Sequence, residues 1–305
     1  MTATLFIDGE AGTTGLQIRD LLVGRDDLEL LEIDPQLRKD VGERRRLLNE
    51  ADVAILCLPD AAARESVALI GDGDVRVIDA SSAHRVAAGW TYGMPELGAA
   101  QVEAIRGARR VANPGCWPQG AIAGLRPLID AGLIPPTLPV TVHGISGYSG
   151  GGRPMIEEYE RAGDAARGYT PYALGLDHKH VPELERYSGL SARPLFTPAV
   201  GDFAQGMVVV TALQLATLPE VPTLGRLHAA VAEHHAAVPG GVVEVAPLGG
   251  AGVPDPREYA GTNRMTLHLS GNDAAGQAVV VAVYDNLGKG AAGAAVQNLD
   301  LMLGR

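Results

Sequence analysis

The stretch "ATLFIDGEAGTTGLQIRDLLVG", residues 3–24, holds a short apolar run, a turn studded with glycine, and then apolar residues at helical spacing. Thr14, Ile18, Leu21 and Leu22 fall on one face of a 3.6-residue repeat, so the stretch reads as strand, turn and helix, one βα unit. Gly9, Gly12 and Gly15 form G-x-x-G-x-x-G across the turn. Such a turn lets the backbone approach a pyrophosphate while the first helix amides, those of Thr13, Thr14 and Gly15 here, face it. The spacing departs from G-x-G-x-x-G, and an ordinary strand-to-helix turn is the competing reading in a chain with 39 glycines. The order strand, turn, helix favours a dinucleotide.

The same alternation continues outward. "LELLEID" (28–34), "ADVAILCLP" (51–59) and "VRVIDASS" (75–82) are β-like runs, with helical stretches such as "AAARESVALIG" (61–71) between some of them. Repeated βα units predict a doubly wound parallel sheet. From about Val140 longer β-like segments take over: "PVTVHGISGYSG", "GMVVVTALQLA", "RMTLHLSG" and "QAVVVAVYD". These predict a second, mixed or antiparallel sheet, with the boundary near Asn113. In "KGAAGAAVQNLDLMLGR" (289–305), Ala292, Ala295, Val296, Leu299, Met302 and Leu303 form a stripe that predicts a packed last helix.

A chain of 305 residues has room for two domains; 46% of its residues are hydrophobic but only 4% aromatic, so its core is aliphatic. The net charge of −11 argues against a nucleic-acid partner, which needs clustered Lys and Arg. The start "MTATLFIDGE" does not read as a signal peptide and no apolar run is long enough to span a bilayer, so a cytoplasmic protein is expected. Cys57 and Cys116 are not spaced as a metal-ligand pair and are expected to be thiols.

In "VANPGCWPQGAIAGLRPLIDAG" (111–132), Asn113 is placed to cap a helix whose buried side carries Leu125, Leu128 and Ile129. Cys116 then falls in the first turn, where the helix dipole favours thiolate and nearby amides can hold an oxyanion. A nucleophile and a small buried hydrophobe are the two readings, and Cys57, inside an apolar strand, suits the second. Of eight histidines, His228, His234 and His235 fall in an expected surface helix and His143 and His268 in β-like segments. His178 and His180, in "DHKHVPE", lie in a polar loop from which His180 can serve as base. The H-x-H pair has no evident third ligand, so no metal is expected. After the second predicted strand, Asp34 suits the ribose 2′-hydroxyl of NAD, whereas Arg38 and Lys39 suit the 2′-phosphate of NADP; the balance is open. A solvated helix face is the competing reading for Arg38, Lys39 and the run "RRR" (44–46), and for the run it is at least as strong. In "GISGYSGGGRP" (144–154), Ser146, Ser149 and Arg153 suit an anion, against a flexible hairpin or an oligomer-contact loop.

Taken in order, "DGEAGTTGLQIRDLL", "DASSAHR", "YGMPEL", "ANPGCWPQGAIAGLRPL", "ISGYSGGGR", "HKHVPE" and "YDNLGKGAAGAAVQNLDLMLG" resemble the serial motifs of the N-acetyl-γ-glutamyl-phosphate reductases, most closely their short, type 2 form. The resemblance covers essentially the whole chain. It implies an α/β chain: a Rossmann-type parallel-sheet domain over 1–112, completed by a C-terminal helix over 287–305, and a glyceraldehyde-3-phosphate-dehydrogenase-like α+β catalytic and oligomerisation domain over 113–286. It implies NADPH-dependent reduction of an acyl phosphate in arginine biosynthesis by a homo-oligomer, a dimer or tetramer, with no membrane partner. By motif position Cys116 matches the nucleophile, His180 the acid/base and His178 a neighbouring polar histidine. Asn286, Lys289 and Gly290 are expected on the nicotinamide side, and Arg85 joins Ser146, Ser149 and Arg153 as an expected substrate contact, a structural ion pair being its alternative. The family's "NPGCYPT" stands here as "NPGCWPQG", with Trp117 and Gln119 substituted. Two rivals remain: a related acyl-phosphate reductase of aspartate-semialdehyde or aminoadipyl type, and a dinucleotide-sensing protein in which the cysteine is structural.

Overall fold

Leu5 and Ile7 face one side of the first strand and Phe6 the other, and all three are buried, the signature of a strand covered on both faces. The computed structural model describes residues 2–71, 73–249 and 253–305. In chain order the first elements are β1 (Ala3–Asp8), α1 (Thr13–Leu22), β2 (Leu28–Leu31), α2 (Val41–Glu50), β3 (Val53–Leu56) and α3 (Asp60–Leu69). Then come β4 (Arg76–Asp79), β5 (Thr91–Tyr92), α4 (Ala99–Gly107), β6 (Arg110–Ala112), α5 (Cys116–Asp130), β7 (Thr141–Gly147), α6 (Gly152–Ala162) and β8 (Tyr169–Pro171). The last are α7 (Val181–Ser188), β9 (Leu195–Gly201), β10 (Met207–Gln214), α8 (Leu224–Ala236), β11 (Val243–Val245), β12 (Met265–Asn272), β13 (Gln277–Tyr284) and α9 (Gly293–Met302). No helix among the described residues is long and apolar enough to cross a membrane.

The chain separates into two units. The first comprises residues up to Met94, Glu103–Pro114 and Ala291–Arg305. Its six strands pair in the order β2-β1-β3-β4-β6-β5, parallel throughout. One face packs Leu5, Ile7, Val53, Ile55 and Ile78 against Ile18 and Leu22 of α1 and against Ala292, Ala295, Leu299 and Met302. Burying Leu299 and Met302 stabilises the docked α9 by roughly 1.5–3 kcal/mol each. On the expected face of α1, Ile18 and Leu22 are buried but Leu21 is 48% exposed, because the helix meets the sheet along a narrower line. Arg76, partly buried, donates to the carbonyls of Ile105, Arg106, Ala108 and Met302 and so closes the C-terminal ends of both α4 and α9.

The second unit comprises Pro95–Val102 and Gly115–Gly290. Its sheet runs β11-β12-β13-β10-β7-β9-β8 and is mixed, with parallel pairs only at β11/β12 and β7/β9. The short strands β8 and β11 carry too few residues for an alternation signal, and Pro198 inside β9 argues against a strand in sequence although the structure pairs it with Gly144. Helix α5 lies directly on β13: a Cβ at Gly120 would fall 2.8 Å from Ala282 Cβ, and one at Gly124 2.8 Å from Val280 Cγ1. Asn113 does not cap α5. The cap is Gly115, with no side-chain bond, and the Asn113 amide instead donates to Ala291 O (2.9 Å) and accepts from Asn298 (3.0 Å) within the first unit.

Helix α8 is not a surface helix throughout. His235 is buried, its Nε2 donating to Ala123 O at 2.9 Å, while His234 donates to Glu96 O and His228 to Ala246 O. Nδ1 of His235 has no partner among the described residues, and burial holds the imidazole down at about 4. The unfolded imidazole protonates near 6.5, so stability is full above that pH and declines as pH falls toward 4, on the order of 3 kcal/mol from this one group. Urea denaturation across this range is expected to show that decline in the wild type and a flatter dependence in His235→Gln.

At the first turn, Gly9 has φ +89° and its Cβ would stand 2.4 Å from Cys57 O, whereas a Cβ on Gly12 meets Gly9 O at an ordinary 3.4 Å. Gly9→Ala is therefore expected to cost roughly 2–4 kcal/mol of stability. Gly12→Ala is expected to cost less than about 1 kcal/mol; thermal melts of the two variants read the contrast.

Candidate functional site

The first unit holds a cavity of about 600 Å³ at the C-terminal ends of β1 and β2. It is lined by Gly9, Glu10, Arg19, Glu32, Arg38 and Lys39 among others, so both basic residues singled out in sequence face the space beside the glycine turn. Asp34 does not line it: its carboxylate accepts from Gln36 N at 2.8 Å and closes a local turn. The acid that does line it is Glu32, just beyond β2, which is paired with Arg19 at 2.8 Å. Arg44, read in sequence as solvated, is nearly buried and bonds Asp8 (2.9 Å) and Ser66 (2.6 Å), holding the end of β1 beneath Gly9. Gly12 caps α1, and Thr13, Thr14 and Gly15 form its first turn, partly or wholly buried. Backbone that approaches closely and a helix start together fit the pyrophosphate of a nicotinamide dinucleotide. The strand-end Cys57 packs its carbonyl against Gly9, and burial pushes its thiol up to about 12, so it is an inert structural cysteine.

In the same unit, the loop after β4 is knotted by Asp79. Its buried carboxylate takes His84 Nδ1 at 2.6 Å and Ser81 Oγ at 2.7 Å, and His84 stacks on Trp90. That knot presents Arg85, which is buried and donates to the carbonyls of Asn113 and Ala80, both at 3.1 Å. Arg85 therefore ties this loop to the segment leading toward residue 116.

The second unit places Cys116 at the first position of α5. Its backbone packs against Gly290, where an added Cβ would stand 2.9 Å from Cys116 Cβ. The Tyr284 hydroxyl donates to Cys116 O at 2.7 Å and accepts from Gly120 N at 3.1 Å. Trp117 Nε1 donates to the Tyr172 hydroxyl at 2.9 Å. Both phenols are pushed up, by burial first and then by the charge of the neighbouring Cys116, and so stay protonated. His178 stands edge-on to Tyr172 (5.7 Å), Phe196 (5.2 Å) and His180 (4.7 Å), and its Nδ1 accepts from His180 N at 3.1 Å. His180 is buried and caps α7. Tyr172 thus links the turn that carries Cys116, through Trp117, to the ring of His178, which in turn meets His180.

Ser146 and Ser149 are buried, and Ser149 Oγ accepts from Asn286 Nδ2 at 3.0 Å. Asn286 Oδ1 accepts from Gly206 N at 2.8 Å, so these residues share one hydrogen-bonded corner. Arg153 is not drawn to that corner: it lies in the first turn of α6, 78% exposed and 3.9 Å from Glu157. Lys289 is fully buried with Nζ 2.9 Å from Glu96 Oε1, and its amide and that of Gly290 donate to Thr262 and Asp285. The ammonium of Lys289, a residue expected on the nicotinamide side, is engaged inside the fold. Among the described residues no cluster of three or more His, Cys, Asp or Glu is arranged to hold a metal. Tyr172, Glu183 and Tyr284 escape sequence reading. Only Tyr284 leaves a trace, as an aromatic with a polar tip ending an otherwise aliphatic strand.

Comparison with known proteins agrees with both units. Residues 9–105 match the NAD binding domain of the semialdehyde dehydrogenases and residues 116–286 their dimerisation domain. The chain is 60% identical to the N-acetyl-gamma-glutamyl-phosphate reductase of Mesorhizobium japonicum, over 100% of both chains. It is 51% identical to N-acetyl-gamma-glutamyl-phosphate reductase 2 of Pseudomonas putida, over 99% of this chain and 97% of that one. Among solved structures, aspartate semialdehyde dehydrogenase II of Vibrio cholerae, complexed with ASA, superposes with a TM-score of 0.77 at 18% identity, over 99% and 98% of the two chains. The Candida albicans aspartate semialdehyde dehydrogenase with NADP gives 0.69 at 15% identity, over 99% of both; likenesses at this level establish the fold. With full-length identity of this order and a cysteine opening α5, the chain belongs to the N-acetyl-gamma-glutamyl-phosphate reductase family of semialdehyde dehydrogenases.

Proposed function

We propose that this chain reduces N-acetyl-γ-glutamyl phosphate to N-acetylglutamate 5-semialdehyde, releasing phosphate, in arginine biosynthesis. Cys116, at the first position of α5 and beside the phenols of Tyr172 and Tyr284, carries the reading. The Cys116 thiolate attacks the acyl-phosphate carbonyl, the C–O bond to phosphate breaks, and a thioester remains on sulfur. Amides at the start of α5 hold the oxyanion; they are those of Cys116 and Trp117, since Pro118 has no N–H. A nicotinamide dinucleotide, which Gly9, Gly12, Thr13, Thr14 and Gly15 would hold in the first unit, would supply the hydride that reduces the thioester. His180, in its acid form, protonates the resulting oxyanion to a thiohemiacetal and then, as base, takes the hydroxyl proton back as the C–S bond breaks, freeing the aldehyde and restoring the thiolate. Ser146, Ser149, His178 and Arg85 are the substrate contacts, and Asn286 faces the nicotinamide.

Arg38 and Lys39, on the rim of the 600 Å³ cavity, support NADP as the dinucleotide, with Gly9, Gly12, Thr13, Thr14 and Gly15 around its phosphates. Residues 1–112 with 287–305 hold the cofactor, and 113–286 carry the chemistry and self-association. A half-exposed row on the sheet, Val208, Val210 and Ala212 of β10 with Val279 and Val281 of β13, is an aliphatic face suited to a second copy, in a dimer or tetramer. The setting is cytoplasmic, in keeping with two cysteines held as thiols.

Incubation with the acyl phosphate and no reductant is expected to leave a mass increment of one N-acetylglutamyl group on the peptide containing Cys116. Cys116→Ala should lose both that adduct and turnover while binding NADPH normally; turnover by this variant would overturn the assignment. Fluorescence titration should show Arg38→Ala/Lys39→Ala weakening NADPH by roughly 10–100-fold, as for one or two charged hydrogen bonds, with NADH little changed.

A further inference from the structure

Glu183 is buried, 1% exposed, and is given no step in the chemistry above. Its Oε2 accepts from Gly115 N at 2.9 Å. Gly115 is the N-cap of α5 and the residue immediately before Cys116. A helix usually answers its N-cap amide from within, through a Glu or Gln at the third helical position. In α5 that position is Pro118, which has no side-chain acceptor, so the carboxylate arrives from another helix. That helix is α7, and Glu183 stands in its first turn, three residues beyond the capping His180. A carboxylate there is also favoured by the positive end of α7.

One hydrogen bond thus joins the turn that carries the thiol to the turn that carries the imidazole. The amide end of this bond is rigid backbone, and the acid end is confined by burial in the packed α5–α7 contact. We infer that Glu183 is a positioning residue: its carboxylate clamps the start of α5 to the start of α7 and thereby fixes Cys116 relative to His180. The role inferred is one of placement and not of contact with the reacting atoms. Proton transfer tolerates little misplacement, and a shift of about 1 Å can cost on the order of 100-fold in rate. The inference rests on the roles given above to Cys116 and His180.

The test is a double-mutant cycle in the full-length protein, assayed with N-acetyl-γ-glutamyl phosphate and NADPH. Glu183→Leu removes the acceptor and is expected to lower kcat on the order of 100-fold while leaving KM within about twofold of wild type. Glu183→Gln keeps an oxygen at the same reach and is expected to restore kcat to within about fivefold. In a His180→Asn background, where there is no imidazole left to align, Glu183→Leu should cost less than about threefold, because residues acting as a unit are non-additive. A Glu183→Leu enzyme with kcat within twofold of wild type would overturn the inference. So would the same 100-fold loss in the His180→Asn background, or a Gln variant as impaired as Leu. If circular dichroism shows Glu183→Leu unfolded, Glu183→Asp takes its place in the same cycle, since one methylene fewer withdraws the carboxylate from Gly115 N. Wild-type protein that forms no Cys116 adduct and does not turn over would instead overturn the function itself.

Discussion

The seating of α5 on β13 is the constraint on which the chemistry of the second unit depends. Two glycines, Gly120 and Gly124, leave no side chain between helix and strand, and Tyr284 reaches from the end of β13 to bond both Cys116 O and Gly120 N. Each of these bonds stabilises the fold by only about 1 kcal/mol net. Their importance is geometric: the first turn of α5 has no freedom to slide or roll. Burial raises the Tyr284 phenol well above its ordinary range, so it remains a donor at neutral pH. Whatever charge develops on the sulfur at residue 116, the backbone around it does not reorganise in response, which is the condition for electrostatic preorganisation.

Buried carboxylates elsewhere follow one pattern. Asp8 with Arg44 underlies Gly9, Asp79 with His84 precedes Arg85, Lys289 with Glu96 adjoins Gly290, and Glu183 follows His180. Buried pairs of this kind contribute little net stability, because desolvation offsets most of the attraction, but removing one partner is costly. They therefore act as locators: each pins a strand end or helix start that carries a residue of one of the two sites. Lys289 illustrates the difference between location and contact. Its ammonium does not reach outward, yet by holding the turn at 288–292 it keeps Gly290 in place against Cys116.

Much of this was legible along the chain. Period-two and period-3.6 apolar patterns located the long elements, and the sheet of the first unit contains β1 to β4 where those patterns lie. The stripe from Ala292 to Met302 packs as read. The short strands β8 and β11 and the Pro-containing β9 were not legible, because pairing partners rather than local pattern hold them. Cys116 at a helix start was legible from the Pro-Gly turn before it, although its cap was misread: Asn113 turns its amide to Ala291 and Asn298. Arg44 and His235 looked solvated because a helical run of polar residues carries no sign of which one meets a buried acceptor.

The sequence by itself determined the two kinds of sheet, the glycine turn after β1, and the thiol and imidazole motifs, since local periodicity, turn chemistry and ordered motifs are properties of contiguous residues. Only the tertiary structure decided which acid lines the dinucleotide cavity, where the ammonium of Lys289 points, and that Tyr172, Tyr284 and Glu183 surround the start of α5. Those choices depend on groups 55 to 193 positions apart meeting at hydrogen-bond distance. No local pattern in the chain encodes such a meeting; it exists once sheet order and helix packing have closed the distance.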